Sequence, residues 1–296
     1  MKDRKLSKSK LFFLLTSVIP VFVLYLFICV APIFTAINES FYGGNQIGIH
    51  TPLAHFYDNY VEIFKDPLFW DSFKNDMIIS FSKEVIIIVI VVFFSIAITR
   101  LQLHRSESNF YRYIYYIPNV LSVIVITQFW GTFFQSGGLF NTIFNTDIDM
   151  LTKNPLAVVI FIASWCGIGY FMLILISSIN NIPKELFEAA EIDGAGQFRQ
   201  LFSVTLPQIK PQIIFMAVNI LSSSLAANMN IILPLNGGGA QKQSFVMGMF
   251  VYYYGKSSAT ELRLGYANAG AVILMFISFA LCFTLNKLLA KGDSDV

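Results

Sequence analysis

The apolar positions of this chain gather into six long blocks, at about 11–37, 77–99, 113–134, 156–178, 209–233 and 265–289. Each reaches the roughly 20 residues that a helix needs to cross a bilayer core. The pattern therefore predicts an all-α membrane protein of six transmembrane helices, forming one transmembrane domain over 1–296. The first block is too long for a signal peptide, and no small-x-small cleavage pattern follows it, so it is expected to stay as a membrane helix. The second block is interrupted near its beginning by Lys83 and Glu84. These two are expected near one membrane interface, as a neighbouring pair.

Composition agrees with the blocks. Of 296 residues, 55% are hydrophobic and 13% charged, whereas soluble domains carry about 25% charge. This chain cannot cover itself with polar surface. The net charge of +2 says little about partners, but the distribution of basic residues sets an orientation. An even number of spans puts both termini on one side, together with Lys2, Arg4, Lys5, Lys8, Lys10, Arg100, Arg105, Arg112, Lys184, Arg199, Lys210, Lys287 and Lys291. Lys65, Lys74, Lys83, Lys153, Lys242, Lys256 and Arg263 fall on the other side, spread over longer loops near 38–76, 135–155 and 234–264. The richer side is cytoplasmic. Cys29, Cys166 and Cys282 all lie in apolar blocks and are expected to act as small hydrophobes.

Between the fourth and fifth blocks stands a polar segment, "PKELFEAAEIDGAGQFRQLFSVTLPQIKP", Pro183 to Pro211. Its residues predict a short helix, a turn and the entry to a membrane helix. Asn181 can cap the helix, Pro183 suits its first turn, and Glu185 and Glu188 favour its positive end. Leu186, Phe187, Ala189 and Ala190 give it an apolar side with small residues. Gly194 is expected to end or bend it. Leu206, Pro207 and Pro211 would then open the fifth span. From these residues alone, a helix lying on lipid and a helix docking on another protein remain open.

Within that segment, "EAAEIDGAGQFRQLFSVTLP" closely resembles the cytoplasmic EAA loop of ABC-importer permeases. The shared features are Glu188, Ala189, Ala190, a glycine four residues later (Gly194), and the pair Leu206 and Pro207. The stretches Phe56–Asn75, Tyr111–Trp130 and "PLNGGG" (Pro234–Gly239) resemble the carbohydrate subfamily of the maltose and glycerol-phosphate type, and its first permease subunit. Two positions depart from that pattern: the polar Lys83-Glu84, and Ala240 where a proline usually follows the glycines. The resemblance implies a type I ABC importer permease fold in the bacterial cytoplasmic membrane, with both termini cytoplasmic. It implies that the loop 183–207 is the coupling helix that docks on an ATPase subunit. It also implies the partners: a second, homologous permease, two ATPase subunits, an extracytoplasmic solute-binding protein, a carbohydrate substrate and the lipid bilayer, with no nucleic acid. ATP and Mg would be bound by the partner ATPases, leaving this chain without a cofactor.

The chain's own motifs point away from catalysis. "YGKSS" (Tyr254–Ser258) contains Gly-Lys-Ser, but a phosphate-binding loop needs a glycine where Phe250 stands. His50, His55 and His104 lack metal-ligand spacing and are expected to be solvated side chains. What remains is a path for a polar solute. Asn219, Ser223 and Asn230 lie at i, i+4 and i+11, and at 100° per residue the last returns to within about 20° of the first, so all three share a face. Gly167, expected to leave room for a ring, and Tyr170 share one side of the fourth span, and Asn119 follows Pro118 in the third. Such groups suit sugar recognition, yet they also serve as glue between membrane helices. The resemblance implies that Asn119, Cys166, Gly167, Tyr170, Asn219 and Ser223 occupy sugar-contacting places. At two further places Ala163 and Ala226 lack the polar group. A channel or secondary transporter with a regulatory cytoplasmic helix is the alternative. That class would show internal repeats or paired broken helices, which the sequence does not display clearly.

Overall fold

The computed structural model describes residues 8–44, 51–100, 105–239, 242–257 and 262–290. His50, His104, Ala240, Ser258 and the terminal Lys2, Arg4, Lys5 and Lys291 lie outside them. The elements in chain order are α1 (Lys8–Tyr25), α2 (Ala31–Glu39), α3 (Asp58–Lys65), α4 (Pro67–Arg100), α5 (Arg105–Val120), α6 (Val123–Phe134) and α7 (Leu139–Phe144). There follow α8 (Met150–Lys153), α9 (Pro155–Asn180), α10 (Lys184–Ile192), α11 (Gln197–Gln200), α12 (Leu206–Asn236), α13 (Met247–Tyr252) and α14 (Leu264–Ala290). Wider π-helical turns join α1 to α2 (Leu26–Val30), join α11 to α12 (Leu201–Thr205) and extend α13 (Tyr253–Ser257). Among the described residues, five helical stretches are long and apolar enough to cross a membrane, or six if one bent pair counts as a span.

Three spans differ from their sequence expectation. The third is broken: Tyr113–Val120 and Val123–Phe144 meet at 106°. Pro118 removes a backbone donor inside α5, and Ser122 is extended, with ψ 138°. The second starts at Pro67 rather than near 77, because Ser72 and Asp76, which hydropathy reads as loop, are fully buried. Lys83 and Glu84 consequently sit in the middle of a helix of 34 residues, not near its end. They do not form a pair either, since adjacent helical residues point apart. The fifth helix begins at Gln197, not near 209, passing through the π turn before Pro207 and Pro211.

The chain divides into two compact units. The first comprises residues up to Asp66 together with Val251–Ile273. Its first span, Phe12–Glu39, exposes nearly all of its apolar side chains. The chain then folds back: Asn59 Nδ2 donates to the carbonyls of Ser40 (2.8 Å) and Tyr42 (3.0 Å), and Gly43 pairs with Thr51 in an antiparallel bridge. Gly265 packs directly on the Tyr42 carbonyl, leaving no room for a side chain.

The second unit holds Pro67–Phe250 and the chain from Leu274 on. Its core is an apolar cluster of α4, α9 and α12, including Ile87, Val91, Met172, Leu175, Ile209 and Met216. Two glycines let helices approach α9 closely, as small residues do in membranes. Gly169 lies against the Tyr115 carbonyl of α5, and a Cβ on Gly167 would fall 2.6 Å from Ile87 Cδ1 of α4.

Candidate coupling segment and solute path

The polar segment forms α10 and a turn. Pro183, not Asn181, occupies the N-cap position, with extended ψ of 135° and no side-chain cap. Asn181 instead closes α9 through its own backbone N–H. At the other end, Ala195 N–H bonds Ala190 O at 2.9 Å and Gly194 N–H bonds Glu191 O at 3.0 Å. This pair of bonds is a Schellman stop, and it requires a left-handed residue at Gly194, where φ is 75°. Space around Gly194 is open, so its backbone conformation is what selects glycine. Phe187, Val204 and Leu206 pack against the α4–α9–α12 core. Glu188, Ala189, Gly194 and Pro207 remain exposed, and Ala190 is half-buried. Around them stand the exposed apolar side chains Leu186, Ile192 (87% exposed), Phe198 and Phe202. A groove of about 610 Å³ runs between the end of α4 and this segment, lined by Ile96, Thr99, Phe187, Glu191, Gln197 and Phe198. An anchored helix with exposed apolar groups beside a groove is suited to dock a protein.

The expected solute residues fall into two groups. On α5 and α9, Asn119 and Tyr170 are exposed, while Cys166 and Gly167 are half-buried. Asn119 Nδ2 lies 2.7 Å from where a Gly169 Cβ would be, so the bend after α5 places this amide beside α9. On α12, Asn219 is half-buried and Ser223 and Asn230 are exposed. The Ser223 hydroxyl donates to Asn219 O at 2.9 Å. Gly167 differs from expectation in one respect: the space that its missing side chain leaves is filled by Ile87.

The structure adds residues that the sequence did not indicate. Trp130 of α6 stacks its edge against Phe161 and Trp165 of α9, with ring centroids 4.7 and 5.4 Å away. Of these rings, Trp165 directly precedes Cys166 in the chain. Asp76, Ser80 and Lys83 of α4 converge on Asn228 of α12, all of them buried. Their i, i+4, i+7 spacing was a legible signal, hidden because the helix was expected to start at 77. Glu84 is also buried, and its Oε2 has no hydrogen-bond partner.

In the first unit, Arg263 clamps Glu62 through two hydrogen bonds (2.7 and 2.5 Å) and covers the Tyr266 ring. The Tyr254 and Tyr266 hydroxyls both donate to Asp66 Oδ2 at 3.0 Å. Burial, then the Asp66 carboxylate, pushes the Tyr254 pKa up to about 12. The bonds to Glu62 raise Arg263 further above its already high value. Tyr253–Ser257 forms a π-helical turn that extends α13. His55 is exposed and lies beside Asp58, and the three thiols are free.

Comparison with known proteins decides the family. Residues 92–291 match the model of the binding-protein-dependent transport system inner membrane component. The chain belongs to this family. A probable ABC transporter permease of Bacillus subtilis is 33% identical over 291 residues, covering 94% of this chain and 96% of the relative. A probable starch degradation products transport system permease of Thermoanaerobacterium thermosulfurigenes is 28% identical, covering 92% and 91%. Among solved structures, a bacterial ABC transporter that imports the acidic polysaccharide alginate has a chain of the same fold. Its TM-score is 0.82 at 19% identity, with 96% of each chain covered. The chain is thus a multi-pass membrane permease with the ABC importer fold, and the channel and secondary-transporter reading is set aside. The family match contains α9, the coupling segment and α12, but begins after Asp76, Ser80 and Lys83.

Proposed function

We propose that this permease forms half of the translocation pathway of an ABC importer for a carbohydrate, in the bacterial cytoplasmic membrane with both termini inside. A second, homologous permease supplies the other half. Two ATPase subunits bind ATP and Mg and supply the energy, and an extracytoplasmic solute-binding protein delivers the sugar. This chain is not itself an enzyme. The observation that carries the reading is the polar segment: α10 leaves Glu188 and Ala189 exposed, with Gly194 exposed in the turn beyond it, while Phe187 and Leu206 root it in the core that carries α9 and α12. A push on α10 thereby reaches α9 and α12, two of the three helices that bear the solute residues. Support for a carbohydrate comes from the starch-product permease and from the local chemistry. Amides at Asn119, Asn219 and Asn230, a hydroxyl at Ser223 and the aromatic Tyr170 beside Cys166 and Gly167 suit hydroxyl recognition and ring stacking. Alternating exposure of this site would follow from rocking one permease against the other. The test is to purify the complex with its partners in proteoliposomes and measure ATP hydrolysis with solute-loaded binding protein across a sugar panel. Stimulation by one sugar class, with uptake, is expected. Stimulation only by amino acids or ions, with sugars inert, would overturn the substrate class.

A further inference from the structure

Asp76, Ser80 and Lys83 lie in line on one face of α4 and meet a single amide, Asn228 of α12, which has no exposed surface. Asn228 Nδ2 donates to Asp76 Oδ1 at 2.6 Å and to Ser80 Oγ at 3.2 Å. Its Oδ1 accepts from Lys83 Nζ at 2.9 Å. The other carboxylate oxygen of Asp76 accepts the Met247 backbone N–H at 3.1 Å, where α13 begins. The amide thus stands between an anion and a cation, its donor toward the first and its acceptor toward the second. Rotated by half a turn, it would face both charges with the wrong end.

Buried charges are a weak source of stability, because apolar residues of similar volume often do as well or better. Directional bonds do what apolar packing cannot: they define a register. Asn228 follows Asn219 by nine residues, about 180° round the helix, so it faces α4 when Asn219 faces the solute path. A slip of α12 by one residue would move it roughly 1.5 Å along its axis and about 100° around it, breaking the whole set. The same helix runs back through the π turn to Gln197, beside the coupling segment.

We propose that Asn228 is a positioning residue for transport. Its amide, held between Asp76 and Lys83, keys α12 to α4 so that movement of the coupling segment reaches the solute stripe without slip. The inference rests on the transport reading above. Its test uses the complete complex in proteoliposomes, reading ATP hydrolysed per solute imported beside the yield of assembled complex. Asn228→Leu strands two buried charges and is expected to lower the yield. Adding Asp76→Asn and Lys83→Met removes those charges and is expected to restore the yield, while the ATP cost per solute rises about fivefold, the low end of coupling between distant sites. A triple variant with the wild-type ratio would reduce the cluster to simple glue and end the proposal. Lys83→Met alone keeps the Asp76–Asn228 bond but leaves the buried Asp76 without its cation, so it is expected to lower the yield by less than Asn228→Leu does and to raise the ratio by less in the complex that assembles. An unchanged ratio in Lys83→Met would equally overturn the proposal, whether or not the triple variant assembles. If the wild-type complex imports no solute, the transport reading has failed; if it couples normally and both variants match it, only the register has.

Discussion

At the scale of single residues, the proposed solute path is built from amides and hydroxyls. In the proposed solute path, losing the Asn219 amide should cost about 0.5–1.5 kcal/mol, or a few-fold in affinity for an uncharged solute. Asn219→Ala is therefore expected to raise the half-saturating solute concentration a few-fold at unchanged complex yield. A fall in yield with solute preference fixed would mark Asn219 as glue between helices. Tyr254 gives a pH dependence of known sign. Its neutral hydroxyl donates to Asp66, and its pKa is raised to about 12 from the roughly 10 of an unfolded tyrosine. The stabilisation is complete below pH 10 and disappears as pH rises through 12. Melting curves should show the wild-type complex losing its advantage over Tyr254→Phe across that window, and a constant difference would refute the assignment.

At the scale of elements, glycines with different reasons for being there predict different failures. Gly194 is held at φ 75° in open space. Alanine there should cost about 1–2 kcal/mol of local strain and leave docking possible. Gly194→Trp adds bulk on the exposed face and should abolish association with the ATPase while the permease still reaches the membrane. Co-purification of the two subunits measures this, and normal assembly of the tryptophan variant would refute the docking surface. Gly167 is different, because Ile87 already fills its vacancy. Gly167→Leu should overpack α4 against α9 and destabilise by about 1–3 kcal/mol, instead of only closing the solute path. Combining it with Ile87→Ala should recover stability, and a double-mutant cycle on melting temperature would reveal an absence of that coupling.

At the scale of the whole molecule, the apolar area of the first span is nearly all exposed in the single chain, as suits a helix bathed in lipid or covered by a second permease. The uneven spread of Lys and Arg sets the proposed orientation. In a variant whose own cysteines are replaced, a thiol at Lys8 should react with impermeant reagents only from the cytoplasmic side, and one at Thr146 only from outside. The reverse pattern would invert the topology. The purified permease alone is expected to hydrolyse no ATP, since Phe250 stands where the phosphate loop needs glycine; turnover by the partner-free chain would contradict this.

The sequence by itself determined the membrane character, the number of apolar blocks and the short polar helix that Gly194 stops. These depend on local composition and on a left-handed turn that Gly194 encodes in its own neighbourhood. Tertiary structure alone decided the rest. Hydropathy scores a residue by its type, so Asp76 and Lys83 read as surface and displaced the start of α4 by about ten residues. The approach of Asn228, 152 residues from Asp76 and 145 from Lys83, together with the Met247 N–H on Asp76, makes their burial tolerable. The broken third span had a local hint in Pro118, but a proline can merely kink a helix, and its 106° bend required a neighbour to receive it. Gly169, which lets the Tyr115 carbonyl approach, is that neighbour. Whether a small residue in a membrane helix leaves a space or fills one depends on the facing helix, and no pattern within a single helix carries that information.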